Sequence, residues 1–292
     1  MNDARAMTGA GRPRQAGCLY LFQGFGIPVF VHWSWGLLLA LVVARDPMGQ
    51  GLAWGLAAVV GVFAIVTLHE FGHALAARSV GGRADRIVLN VLGGVAYVQP
   101  PARPWPTLWS IAAGPLVNVA LIPVLWGVAF VMGALPSVAS DGTVMMGGMG
   151  PVQLLVFWLA VTNVLLLAFN LLPVYPLDGG QMVQSVLWML IGRAKSLRVS
   201  AIFGLIVSLG LAAVMLATGA VYGRPMLFLI ALFIAWSSFR SLMVANLLAQ
   251  LERVQGRHVE PWELRGGAAR SGAGPGGMGG GEVIEGEVVD RR

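Results

Sequence analysis

Cysteine is almost absent from this chain, which carries Cys18 alone among its 292 residues. One thiol can form neither an internal disulfide nor a thiolate cage for a metal ion, so a disulfide scaffold and a zinc finger are both excluded. Charged residues are also scarce, at 11% of the chain against about 25% in a typical soluble domain. The composition therefore argues against a soluble globular protein.

Hydrophobic residues are correspondingly abundant and make up 57% of the chain. A helix needs about 20 apolar residues to cross roughly 30 Å of hydrocarbon. The first of the candidate segments is short, and it needs its flanking residues or a thin bilayer to span. We predict an all-α polytopic membrane protein with about six transmembrane helices, at about 32–44, 54–78, 107–135, 151–172, 198–222 and 225–249.

Positive charges are unevenly distributed among the predicted connections. They precede the first segment, separate the second from the third and the fourth from the fifth, and follow the last: Arg5, Arg12, Arg14, Arg78, Arg83, Arg86, Arg103, Arg193, Lys195, Arg198, Arg253, Arg257, Arg265 and Arg270. Because cytoplasmic loops are enriched in Lys and Arg, both termini are predicted to be cytoplasmic. The net charge of +6 reflects these loops, and no basic surface interleaved with aromatic residues suggests nucleic acid as a partner.

Two short runs are prone to form β-strands and are interrupted by Gly or Pro. They are residues 20–31, YLFQGFGIPVFV, and 86–99, RIVLNVLGGVAYVQ. We predict a small membrane-associated sheet at the cytoplasmic mouth of the helix bundle, with Gly93 and Gly94 as a hairpin turn or bulge.

The chain divides by composition into three parts. Residues 1–18 form a cytoplasmic N-terminal arm, residues 19–250 the membrane core, and residues 251–292 a cytoplasmic tail. The tail contains the Gly-rich run 266–281, and it is predicted to be largely disordered.

The apolar segment 54–78 contains the motif HEFGH. Its two histidines, His69 and His73, stand four residues apart and project from one face of a helix. Two imidazoles at this spacing can bind Zn²⁺, and the carboxylate of Glu70 can take a proton from the attacking water. Ionisable groups inside a bilayer are costly and usually mark function, which disfavours the alternative that neighbouring helices merely satisfy these side chains.

A catalytic zinc site normally takes a third protein ligand. No glutamate lies between Glu70 and Glu252, and the donors that remain are Asp85, Asp141, Asp178, His32 and His258. Asp178 follows the fourth predicted span, which ends on the side of the membrane where the second span ends. Pro173 and Pro176 stop that helix, while Gly179 and Gly180 allow close backbone approach. An N-cap role of Asp178 for a helix at 181–191 is the alternative, but the pairing with the histidine motif favours the metal.

Together, HEFGH and NLLPVYPLDGG on a six-helix scaffold resemble the site-2 protease family of intramembrane zinc metalloproteases, over about residues 20–250. The segment AAGPLVNVA is similar to the family's Gly-x-x-x-Asn segment at Gly114 and Asn118. The resemblance implies one Zn²⁺ per chain, bound by His69, His73 and Asp178, with Glu70 as general base and acid. It also implies that the substrate is a transmembrane segment of a membrane-anchored protein.

Supporting roles are predicted for five further residues. Asn118 orients the substrate or stabilises the oxyanion, or it packs helices together. The hairpin with Gly93 and Gly94 holds an unwound substrate by strand addition. Asn170 opens the second motif and is assigned a substrate-binding or supporting role. His32 resembles a histidine that approaches the zinc in part of the family, although an interfacial histidine beside aromatic anchors is the favoured interpretation.

Two further expectations concern regulation and the competing function. The connection 136–150 is too short for a PDZ domain, and the tail is too short for a nucleotide-sensing module, so prior substrate cleavage or a regulatory membrane protein is expected to control access. The alternative is a non-proteolytic metal-binding protein or transporter. A transporter needs ionisable or polar residues along a path through several helices, and the last two predicted helices offer little beyond Ser208, Ser237 and Ser238.

Overall fold

The computed structural model describes residues 15–37, 39–40, 51–90, 93–138, 144–145 and 148–254. Six helices of ten residues or more are present in these ranges: α1 (Leu52–Ser79), α2 (Pro104–Val131), α3 (Pro151–Asn170), α4 (Asp178–Ile191), α5 (Arg193–Ala217) and α6 (Pro225–Val254). A single helical turn, Ala220–Gly223, joins α5 to α6.

Five of these helices, all except α4, are long and apolar enough to cross a membrane. They confirm five of the six predicted spans, and the protein is a multi-pass membrane protein. Of the remaining predicted span, 32–44, residues 35–37 and 39–40 are helical, and residues 38 and 41–44 lie outside the described residues. Most of the predicted N-terminal arm and of the tail also lies outside them.

Helices α1, α2 and α3 pack against one another, and α4 packs between α2 and α5. Helix α1 approaches α2 closely at Gly72, where an added Cβ would lie 2.6 Å from the backbone oxygen of Ala113. Only glycine permits this contact, which lies within the HEFGH motif. The turn of α1 that carries the histidines is therefore held tightly against α2.

The predicted sheet is confirmed, and it has four strands in the order of the chain: β1 (Cys18–Gly24), β2 (Ile27–His32), β3 (Arg83–Asn90) and β4 (Gly93–Gln99). The first and last pairs are antiparallel, and β2 runs parallel to β3. A separate two-stranded ladder joins β5 (Ser137–Val138) to β6 (Val144–Met145).

Strand β4 is an edge of the four-stranded sheet. Gly93 and Gly94 are residues of this strand, paired with Asn90 and Leu89, so the prediction that they form the turn or a bulge was wrong. The connection consists of residues 91–92, which lie outside the described part of the chain, and the register shift in this hairpin lies between Ala84 and Arg86.

One hydrophobic core joins the sheet to α1. Its buried members are Ile27, Val29, Trp35, Val66, Phe71, Ala74, Ala84, Ile87 and Leu89. Since Val66 and Ala74 flank the histidine motif on α1 and Phe71 lies within it, burial of this apolar surface fixes the sheet beside that motif.

Candidate metal centre

The HEFGH motif lies in the C-terminal half of α1, and its three polar side chains are all buried. His69 and His73 are one helical turn apart, with their Nε2 atoms 3.1 Å from each other. Both imidazoles therefore present the same ring nitrogen to one point inside the bundle.

Asp178 reaches that point from α4. Its Oδ2 atom lies 3.1 Å from His69 Nε2 and 3.5 Å from His73 Nε2. The N-cap of α4 is Leu177, and no side chain caps this helix. The alternative in which Asp178 caps a helix at 181–191 is therefore wrong: Asp178 is the first residue of the helix, and its carboxylate faces the two histidines.

The loop before Asp178 packs closely over the start of α4. An added Cβ at Gly179 would lie 2.5 Å from the backbone oxygen of Leu172, and one at Gly180 would lie 2.6 Å from that of Val174. Side chains at these two positions would push the loop away from the helix. The backbone approach that the two glycines were predicted to allow is thus what orients Asp178.

The three donor atoms have the spacing of a zinc site. Ligands at about 2.0–2.1 Å in a tetrahedron lie roughly 3.3–3.4 Å from one another, and the observed separations are 3.1, 3.1 and 3.5 Å. Asp178 Oδ2 is buried and finds no hydrogen-bond donor among the described residues. Three mutually facing atoms of metal-ligating types in a buried site fit a bound cation.

Charge at this site favours the ligating form of Asp178. Burial alone would raise the pKa of its carboxyl, but the facing imidazoles outweigh burial and lower that pKa to about 2. Asp178 is therefore a carboxylate at neutral pH, the form that binds metal.

Each histidine is oriented by α2 through its other ring nitrogen. His73 Nδ1 lies 2.9 Å from the backbone oxygen of Ser110, and the Ser110 hydroxyl donates to the backbone oxygen of His73 at 3.2 Å. His69 Nδ1 is hydrogen-bonded to Oδ1 of Asn118, which is fully buried. The structure thus places the Asn118 amide against a candidate ligand, and Asn118 is not among the residues that line the adjacent cavity.

The adjacent cavity has a volume of about 450 Å³ and lies between α1, β4, α2, the end of α3, the start of α4 and α6. Its polar lining includes His69, Glu70, His73, Asn90, Ser110, Asn170, Asp178, Gln181 and Ser237. Asn170, Gly93 and Gly94 line it, as their predicted roles require. The three candidate ligands and Glu70 all line this one cavity.

His32 is not brought to this site. It ends β2, its Nδ1 lies 2.9 Å from the Ser34 hydroxyl, and its ring packs against Trp33 with centroids 5.3 Å apart. It is absent from the cavity lining and from the group of donor atoms. These contacts fit the interfacial interpretation.

Glycines leave room for the three motif side chains. An added Cβ at Gly94 would lie 2.5 Å from Glu70 Oε1, and one at Gly114 would lie 2.8 Å from His69 Nε2 and closer still to His73. Gly94 thus accommodates the candidate base, and Gly114 accommodates the candidate ligands.

Sequence reasoning missed two participants. Asn163 of α3 hydrogen-bonds Asn118, and the backbone N–H of Ala96 donates to Glu70 at 2.7 Å. Asn163 does carry a signal, because it is a strongly polar residue in the middle of an apolar span. A backbone N–H carries none in the sequence.

Comparison with known proteins places these features in context. Residues 57–217 match the model of peptidase family M50. The chain is 26% identical over 239 residues to the zinc metalloprotease MJ0392 of Methanocaldococcus jannaschii, covering 82% of this chain and 65% of that protein. It is 33% identical over 180 residues to the putative zinc metalloprotease sll0528 of Synechocystis sp., covering 58% of this chain and 44% of that protein.

A solved structure shows a similar fold. The site-2 protease from Methanocaldococcus jannaschii aligns with a TM-score of 0.55 and 28% sequence identity, covering 77% of this chain and 95% of that chain. The present chain spans only 44% to 65% of the length of the two curated relatives described above.

Proposed function

The chain belongs to peptidase family M50, and we propose that it is a zinc metalloprotease that hydrolyses a peptide bond in or near a transmembrane segment of a membrane-anchored protein. The observation that carries the proposal is the triangle of His69 Nε2, His73 Nε2 and Asp178 Oδ2, with sides of 3.1 to 3.5 Å. It lies beside Glu70 in a cavity among apolar helices.

The four candidate site residues have two kinds of role in this proposal. His69, His73 and Asp178 would hold one Zn²⁺ and leave a fourth position open to the cavity. A zinc ion held there supplies Lewis acidity that activates water and polarises the scissile carbonyl. Glu70 is a carboxylate that lies next to the ligands without being a ligand itself. It therefore takes the proton of the attacking water and delivers it to the leaving amine.

The substrate must be unwound before its peptide bonds are accessible, because a helix satisfies its own backbone groups. Strand β4 offers a replacement partner. It is the edge of the sheet and lines the cavity through Gly93, Gly94, Val95, Ala96 and Val98. We propose that the unwound segment adds to β4 as a further strand, so that backbone hydrogen bonds compensate for those lost in the helix.

The contact between Glu70 and Ala96 supports this arrangement. Because the Ala96 N–H donates to Glu70, it points away from β3 and toward the open edge. By the alternation of a strand, the N–H groups of Gly94 and Val98 point to the same side. A substrate strand would meet these donors, and its carbonyl would compete with Glu70 for Ala96.

A proline substitution tests whether the open edge of β4 binds the substrate. Val98→Pro removes an outward N–H, and proline is tolerated on edge strands because no ladder bond is lost. We expect Val98→Pro to lower cleavage while bound zinc stays at the wild-type level. Val98→Thr, which keeps the N–H, is the matched control. Equal cleavage by both variants would refute strand addition at this position.

The function itself is tested with a panel of single-span membrane proteins in liposomes. Wild type, Glu70→Gln and Asp178→Asn are compared for cleavage, and bound zinc is quantified in each preparation. The proposal requires that wild type cuts, that Glu70→Gln keeps zinc without cutting, and that Asp178→Asn loses zinc. Wild-type protein without zinc, or cleavage by Glu70→Gln, would overturn it.

A further inference from the structure

Two asparagines bridge α2 and α3 beside the candidate metal centre. Asn118 and Asn163 are both fully buried. Asn118 Nδ2 donates to Asn163 Oδ1 at 2.8 Å, and Asn163 Nδ2 donates to the backbone oxygen of Asn118 at 3.0 Å. The Asn118 Oδ1 atom faces His69 Nδ1. A continuous chain of hydrogen bonds thus runs from a main-chain carbonyl to a candidate zinc ligand.

This chain of hydrogen bonds satisfies every donor and acceptor in only one orientation of the two side-chain amides. A backbone carbonyl can only accept, so the end of Asn163 that faces it must be the NH₂ group. The oxygen of Asn163 then faces Asn118 and requires the NH₂ of Asn118 there. The oxygen of Asn118 is left for His69, whose Nδ1 must therefore carry a hydrogen.

The direction matters because a neutral imidazole carries its single hydrogen on one of its two nitrogens. With the hydrogen on Nδ1, the lone pair of His69 is on Nε2, which faces Asp178 Oδ2 at 3.1 Å. If the Asn118 amide were reversed, its NH₂ would favour the opposite tautomer, with a hydrogen on Nε2 where a metal would bind.

We propose that Asn163 is a positioning residue that fixes the tautomer of His69 through Asn118. The inference rests on the proposed zinc site, and it adds a residue of α3 to the machinery that holds the metal. Asn163 touches neither the metal position nor the cavity. It acts by making the Asn118 amide present only its oxygen.

His73 provides an internal reference in the same molecule. Its Nδ1 lies 2.9 Å from the backbone oxygen of Ser110, an acceptor that cannot be reversed. Its tautomer is therefore set without Asn163. Loss of Asn163 should change the ring of His69 and leave that of His73 as it was.

The test uses Asn163→Leu, which keeps the branching at Cγ and the number of side-chain heavy atoms and removes both hydrogen bonds. Zinc affinity is measured on the full chain in detergent by competition with a chelator. ¹⁵N chemical shifts of the histidine rings are recorded on the metal-free protein. Thr67→Val is the matched control, because the Thr67 hydroxyl is buried in α1 and, among the described residues, bonds only to the backbone oxygen of Phe63, at 2.7 Å.

We expect Asn163→Leu to weaken zinc binding by about 10–100-fold, the range found when partners of metal ligands are removed. The His69 ring should acquire the Nε2–H tautomer while His73 and the Thr67→Val protein remain as in wild type. Unchanged zinc affinity and an unchanged His69 tautomer in folded Asn163→Leu would overturn the inference. Absence of zinc from wild type would instead overturn the proposed function.

A second background separates tautomer control from helix packing. In Asn118→Asp, the carboxylate can only accept, so His69 Nδ1 must carry a hydrogen whatever occupies position 163. Adding Asn163→Leu or Asn163→Ser to this background should not weaken zinc binding further. An equal additional loss in both backgrounds would show that Asn163 acts only through packing. Asn163→Ser also serves if the leucine variant fails to fold.

Discussion

The carboxylate of Glu70 accepts a hydrogen bond of 2.7 Å from the backbone N–H of Ala96 in strand β4. The two residues are 26 positions apart, and the bond joins the candidate metal helix to the edge of the sheet. The proposed base and the proposed substrate-binding strand thus share one donor. Cleavage should therefore respond to changes in β4 that leave the metal ligands untouched.

Gly94→Ala tests this link directly. The new Cβ would lie 2.5 Å from Glu70 Oε1, so the carboxylate has to move. We expect the rate of cleavage to fall by up to about 10²–10⁴-fold, which is what general acid–base catalysis typically contributes. Bound zinc should be unchanged. Gly127→Ala is the control, since its Cβ would have no described atom within 4 Å. Normal cleavage by Gly94→Ala would contradict the placement of Glu70 against β4.

Gly114→Ala should act on the metal instead of the base. Its Cβ would lie 2.8 Å from His69 Nε2 and closer to His73, so both imidazoles would be displaced. We expect loss of bound zinc and, with it, of cleavage. Gly127→Ala lies on the same helix and again serves as the control. Zinc content equal to that of wild type would show that the two histidines are not held against Gly114 as described.

Asp178→Asn removes the charged ligand but keeps nearly the same shape. A metal that binds only the folded protein stabilises it, by about 2.7 kcal/mol when its concentration is 100 times the dissociation constant. Zinc should therefore raise the thermal unfolding midpoint of wild type and of Glu70→Gln, and fail to raise that of Asp178→Asn at the same concentration. A full shift in Asp178→Asn would remove Asp178 from the ligand set.

Ser238→Ala tests how α6 supports the loop before Asp178. The buried Ser238 hydroxyl donates to the backbone oxygen of Tyr175 at 2.8 Å. Leaving that oxygen without a partner costs about 1–3 kcal/mol. We expect lower thermal stability and, because the loop positions Asp178, weaker zinc binding.

Ser208→Ala is the comparison for that variant, because in the described part of the chain the Ser208 hydroxyl bonds only to backbone oxygens of its own helix, at 2.7 and 3.2 Å. If the two variants lose zinc affinity equally, the contact between α6 and the loop has no specific role at the site.

The sequence was informative where local pattern and topology agree. The spacing of His69 and His73 is fixed by the helical period, and the alternation of spans placed Asp178 on the same side. The two β-prone runs likewise predicted a sheet, because Gly and Pro interrupt them at short intervals.

Other features depend on which elements meet in space, and local pattern does not encode this. The hydrogen bond between Asn118 and Asn163 joins two helices through residues that lie 45 positions apart in the chain. The contact of Glu70 with Ala96 uses a main-chain group that every non-proline residue possesses. Similarly, α4 begins at Asp178 rather than 181, and Gly179 and Gly180 of its first turn pack closely against the preceding loop.

Intramembrane hydrolysis is tested most directly by mass spectrometry of the products formed from a single-span substrate in liposomes prepared in H₂¹⁸O. Wild type, and not Glu70→Gln, is expected to cut in or near the transmembrane segment and to leave ¹⁸O in the new carboxyl terminus. Products cut only in distant soluble segments, or the same products from Glu70→Gln, would contradict it.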